Sequence, residues 1–320
     1  MAISSINPAT SAYGAYKLGA SAATAVSGPK GPESETASPP DASAETVTIE
    51  LSAQAKAALA QPGQTLGNRF AQYFPKRDGA TANLLADGVA GPGKQVVSQG
   101  LSLDEVVAAA RASMDAQYQT MKASGKPFDV NSWEGKDIYT LTANLDRRAL
   151  NAVAKNVGGQ FSKDEQFSAQ YVMEQQLSLA MGLYSGPTSL GGSFIDLFGS
   201  DNVSRFKAGM AFLDSVSDEE KSTIAWAAKR AELEQSYNLI IDDPKQNSGH
   251  SREKVESDSP IVKLIRQAMG TISLDRMSNG PINTIDDLKA QPWFKGFEDQ
   301  FDALWTPPAW EANAKRAGGM

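Results

Sequence analysis

"SKDEQFSAQYVMEQQLSLAMGLYSG", residues 162–186, decides the fold. Ser162 stands three residues before Glu165, so its hydroxyl can accept the Glu165 amide proton while the Glu165 carboxylate reaches back to the Ser162 amide. That is a capping box, and it opens a helix. Behind it Met173, Leu177, Ala180 and Tyr184 recur at intervals of three and four, the spacing of one helix face, until Ser-Gly-Pro at 185–187 stops the run.

The same device recurs along the chain. "SLDE" at 102–105 and "SDEE" at 217–220 each place Ser three residues before Glu, and each opens a helix. Ile138, Leu141, Leu145, Val153 and Val157 carry one helix up to Gly158-Gly159. Val203, Phe206, Met210 and Leu213 mark another. Trp226, Leu233, Tyr237 and Ile240 mark a third, on which Ala227, Ala228 and Ala231 form a small-residue face for close helix approach. After a polar loop at 242–259, Ile261, Leu264, Ile265, Ala268 and Ile272 line one face, and Phe294, Phe297, Phe301, Leu304 and Trp305 complete a last helix led by Pro292. No run from 101 to 305 joins β-branched alternation to hairpin chemistry. The expected fold is all-α: a bundle-like body of about six or seven main helices over 101–305.

Outside that body the composition changes. Residues 1–45 are rich in Ala, Ser, Thr, Gly and Pro, with too little apolar surface to offset the entropy of ordering them, and read as a disordered arm. Residues 46–100 read as a short helix and a tether that docks on the body rather than a domain of their own. Residues 306–320 read as a flexible tail.

The totals exclude several chemistries. The chain of 320 residues has no cysteine, so disulfides, thiolate metal sites and cysteine nucleophiles are ruled out. Its one histidine, His250, lies in the polar loop and reads as a solvated side chain. With 37 acids against 30 bases the net charge is −7, which opposes nucleic-acid binding. No apolar run approaches the ~18 residues of a membrane span, and the N-terminus lacks the pattern of a cleaved signal peptide. The expected location is cytoplasmic, or exported without a cleavable signal. No cofactor is expected.

Several short stretches suggest more specific chemistry. "DRMSNGPINTID", residues 275–286, has Gly280 sixth and Ile282 eighth, and resembles an EF-hand loop. The resemblance implies Ca²⁺ or Mg²⁺ bound weakly by Asp275, Asn279, Asn283 and Asp286, although Met277 in third place brings no hard oxygen. "AKNVGGQFSKDE", 154–165, has the same outline with fewer oxygens. The simpler reading of both is a turn in which a helix ends at Gly or Asn, an apolar residue packs at the corner, and Ser or Thr caps the next helix. "DEQF" at 164 and "AMGLYSG" at 180 distantly resemble the catalytic elements of soluble lytic transglycosylases, all-α enzymes that cleave peptidoglycan. That resemblance makes Glu165 the catalytic candidate, but no Ser follows it and capping already accounts for it. "ETVTIELSAQAKAALAQPG", 45–63, resembles the element that follows the disordered leader of bacterial flagellar anti-sigma factors, small exported regulators.

"LDRRAL" sets Arg147 and Arg148 together on a helix, where they read as a solvated face, and "GPTSLGGSF" at 186 lacks the pattern of a phosphate cradle. The leading expectation is a noncatalytic bacterial interaction or regulatory protein that meets a protein partner through Val47, Ile49, Leu51, Ala55 and Leu59 and a rigid helical body. The alternatives are a weak divalent-cation module and a wall-cleaving enzyme.

Overall fold

Side-chain caps set where the helices begin. A computed structural model describes residues 66–245, 247, 249–270 and 280–310. The chain there forms helices α1 (Leu66–Ala71), α2 (Asn83–Ala90), α3 (Leu103–Ala123), α4 (Lys136–Thr142), α5 (Arg147–Ala154) and α6 (Lys163–Ala180). Then follow α7 (Asn202–Asp214), α8 (Asp218–Lys221), α9 (Ile224–Asp242), α10 (Pro260–Met269), α11 (Ile285–Lys289) and α12 (Glu298–Leu304). Among the described residues the β-type pairing is one isolated bridge, Pro75 to Thr81, so the body is all-α as expected. Helices α2, α3, α5, α6, α7, α9 and α10 have eight residues or more. No helix among the described residues is long and apolar enough to cross a membrane.

The boxes at Ser102 and Ser162 are complete, and Thr284 with Asp287 forms a third at α11. The one expected at Ser217 is only half made. Its hydroxyl accepts from the Glu220 amide, but the Glu220 carboxylate turns to Arg147, and α8 gives way after four residues to α9, capped by Thr223.

Three helices differ from expectation in extent. The run from Ile138 to Val157 is broken by Asp146, whose Oδ1 caps the Ala149 amide while Oδ2 takes the Val97 and Ser98 amides and the Ser98 hydroxyl. Helix α6 stops before Tyr184 because Gly182, at φ +68, closes a Schellman turn: its amide donates to the Leu179 carbonyl and the Leu183 amide to that of Ser178. The last helix is divided by Gly296, at φ +93, into a 3₁₀ turn over Pro292–Phe294 and α12.

The core falls into three adjoining clusters. The first joins α1 to α6, the second gathers α10, α11, α12 and one side of α9, and the third packs α7 against the other side of α9. Ala227, Ala228 and Ala231 are buried on α9, as a small-residue face requires. The segment before α3 packs into the body itself, with Phe70, Tyr73, Phe74, Leu85 and Val89 all buried in the first cluster. The reason lies in α6, whose inward face carries Ala169, Val172, Gln175, Gln176 and Leu179, while Met173, Leu177 and Ala180 of the expected stripe are half-buried. Gln175 Nε2 donates to the Tyr73 carbonyl at 2.8 Å and Gln176 Nε2 to that of Leu85 at 2.9 Å, so buried amides replace the apolar periodicity and hold α1 and α2 to the body. A Cβ on Gly88 would come within 2.3 Å of Gln176 Nε2, so that close approach requires glycine.

Arg147 and Arg148 face inward, contrary to the solvated reading. Arg147 binds Glu220 through Nε at 3.0 Å and Nη2 at 2.7 Å, donates from Nη1 to Gln176 Oε1 and the Met173 carbonyl, and lies over the Phe212 ring. Arg148 pairs with Glu219 at 2.6 Å and donates to the Ser98 and Leu101 carbonyls. His250 likewise has company: its Nε2 is 3.0 Å from Asp201, the N-cap of α7.

Candidate functional site

The sequence-expected residues are described only in part. Val47, Ile49, Leu51, Ala55 and Leu59 lie outside the described residues, as do Asp275, Asn279, the arm at 1–45 and residues 311–320. Asn283 and Asp286 are described. The Asn283 side-chain oxygen accepts from Gln170 Nε2 at 3.0 Å, and its main-chain carbonyl faces Lys155 Nζ. Asp286 is exposed in the first turn of α11. In the second stretch Asn156 Oδ1 holds the Phe161 amide. Among the described residues no group of three or more His, Asp or Glu side chains is placed to hold a metal ion.

Glu165 is buried and fully engaged. One carboxylate oxygen takes the Ser162 amide at 2.7 Å, the other pairs with Arg111 at 2.8 Å, and the Tyr118 hydroxyl lies against it. Burial first, then the Glu165 charge, push that phenol well above its ordinary pKa.

A different surface emerges where α4, α6 and two loops converge at one end of the first core. The loop before α4 presents Trp133, 79 % exposed, the most exposed large apolar side chain among the described residues. Glu134 follows in the left-handed region at φ 59, and Gly135 repeats that conformation at φ 67. The Glu134 carboxylate takes the Ser189 hydroxyl at 3.0 Å and its amide at 3.3 Å, which ties this loop to the 3₁₀ helix over Thr188–Ser193. From α6 come Phe167, 43 % exposed, and Tyr171, whose ring centroid lies 6.2 Å from that of Phe167. The Tyr171 hydroxyl meets that of Tyr139 at 3.4 Å.

Beneath the second loop Tyr184, Phe194 and Tyr73 make mutual ring contacts with centroids 5.4–5.7 Å apart, and Ile195 beside them is 40 % exposed. The Ile195 carbonyl accepts from Arg69 of α1. Burial raises the pKa of Tyr171 and Tyr184, and the Glu134 charge adds to both, so their hydroxyls remain protonated at neutral pH. The resulting face has rigid aromatic walls, one strained carboxylate and neutral phenols. It has the composition of a contact surface, in which Trp and Tyr combine apolar area with a polar end.

A cavity of about 180 Å³ opens elsewhere, beside exposed Val97, with Leu101, Val106, Ala110 and Leu145 in its wall. It is smaller than the roughly 300 Å³ at which small-molecule sites begin.

Sequence reasoning missed the aromatic face because its members come from separate segments. One signal was local: in "NSWEGKD" a tryptophan stands among polar residues beside glycine, with no apolar periodicity to bury it. No protein-family model matches the chain, and no curated protein or solved structure does.

Proposed function

We propose that the protein is a noncatalytic interaction protein that receives a partner protein on the face formed by Trp133, Glu134, Phe167, Tyr171 and Ile195. The observation that carries this reading is Trp133, a large aromatic side chain left in solvent on a loop pinned at Glu134. Single exposed apolar residues are ordinary on a surface, but exposed Trp133 adjoins Glu134, whose charge reaches Tyr171 and Tyr184, and exposed Phe167 packs on Tyr171, a combination with the make-up of an interface hot spot. Rigid walls favour binding, since ordering entropy has already been lost on folding. The segment with Val47, Ile49, Leu51, Ala55 and Leu59 belongs to the same reading as a second contact, as does action as a regulatory or exported factor.

The test places a photoreactive benzoylphenylalanine at position 167 and irradiates living cells. The expected result is one discrete adduct, absent when the probe sits at exposed Gln119 on α3. Its protein component, once purified, should bind the full chain and lose at least about tenfold in affinity to Trp133→Ala. An adduct that ignores Trp133→Ala would remove the reading.

A further inference from the structure

Among the described residues Glu134, like the capping Asp146, is held by hydrogen bonds alone, whereas several other carboxylates hold a cation. Asp137 pairs with Arg77, Glu165 with Arg111, Glu220 with Arg147, and Glu234 with Arg230 and Arg266. Glu134 is held as firmly, by two successive left-handed residues and by Ser189, yet among the described residues no Lys or Arg pairs with it. A carboxylate offers about four acceptor positions, and Ser189 fills two of them through its amide and hydroxyl.

We propose that this face takes a cation from the partner, a Lys or Arg set among apolar residues, with its stem across Trp133 and its charged end on Glu134. The inference rests on the interaction reading above and names the chemistry of the partner it requires. A cation gains from both the ring and the carboxylate, and its hydrogen bond to Glu134 is charge-assisted. The net charge of −7 acts in the same direction, drawing basic partners from a distance. A carbohydrate also stacks on tryptophan and bonds to carboxylates, but its hydroxyls leave the negative charge uncompensated, so the unpaired charge favours the cation.

The experiment uses the full chain labelled with ¹⁵N at tryptophan, with the Trp133 indole resonance assigned by its loss in Trp133→Phe. Three probes are titrated: acetyl-Leu-Lys-Leu-Lys-Leu amide, its counterpart with glutamine for lysine, and chitohexaose. The lysine peptide should move the Trp133 resonance, the glutamine peptide should bind at least about fivefold more weakly, and Glu134→Gln should weaken the lysine peptide by a similar factor. Raising the salt to 0.5 M should weaken it as well. Equal binding of the two peptides, indifference to Glu134→Gln, no shift with the lysine peptide, or a shift with chitohexaose alone would each overturn the proposal. If the cross-link from position 167 still depends on Trp133 when these charge tests fail, the contact face stands and only the cation is lost. If that dependence is absent, the interaction reading itself falls.

Discussion

At the scale of the residue, Glu134 and the Arg147–Glu220 pair carry opposite kinds of cost. Glu134 occupies the left-handed region, which costs an L-residue about 1–2 kcal/mol, and only a glycine would relieve it. Glu134→Gly and Glu134→Ala both lose the bonds to Ser189, so relief of the strain should make the glycine variant the more stable of the two by about 1 kcal/mol, with a melting temperature about 2–4 °C higher. Both should weaken partner binding; a glycine variant no more stable than the alanine one would contradict the strain. Arg147 and Glu220, 4 % and 6 % exposed at the side chain, work the other way. Removing one leaves a buried charge unpaired, so Glu220→Ala should lower the unfolding free energy by about 3–5 kcal/mol in urea. Replacing both, Arg147→Met with Glu220→Leu, should recover most of that loss. Neither role was legible beforehand: Glu220 reads as the reach-back half of a capping box, and Arg147 as surface charge, because the partner of each is distant in sequence. Ser162 and Glu165 were legible, since both halves of their contact lie within one turn.

At the scale of the element, the caps account for much of what the sequence foretold, and long-range amides for much of what it did not. Helix α6 begins where Ser162 places it, but its inward face includes Gln175 and Gln176, which no apolar pattern reveals because each is buried only by bonding to a carbonyl of α1–α2. Gln176→Leu keeps the volume and removes the bonds to the Leu85 carbonyl and to Arg147, so it should destabilise by about 2–3 kcal/mol despite its apolarity. Helix α11 gives a pH-dependent test. Burial pushes the Asp287 carboxyl up, but the Thr284 hydroxyl and the Asn283 and Thr284 amides outweigh it and hold its pKa below the ordinary value. Its contribution is therefore present above the unfolded aspartate value of about 3.9 and lost as the pH falls through the lower folded value. Asp287→Asn should flatten the stability profile in that acidic window and leave its shape near neutrality unchanged, measured by urea unfolding from pH 2 to 7.

At the scale of the whole molecule, the all-α architecture was legible from periodicity and caps, whereas its N-terminal boundary and its candidate site were not. The boundary lies no later than Leu66 because Phe70, Phe74 and Leu85 are in the main core, so a chain starting at residue 101 should lose cooperative thermal unfolding, read by far-ultraviolet circular dichroism. The aromatic face escaped because tertiary structure assembles it from Trp133, Phe167, Tyr184 and Ile195, which lie in separate segments that no single pattern joins. Hydrogen exchange of the full chain, alone and with its cross-linked partner, tests that face most directly. The account predicts slowed exchange on binding at residues 131–136, 167–172 and 184–196, with the Val96–Leu101 loop unchanged; protection confined to that loop, or to any surface without Trp133, would contradict it.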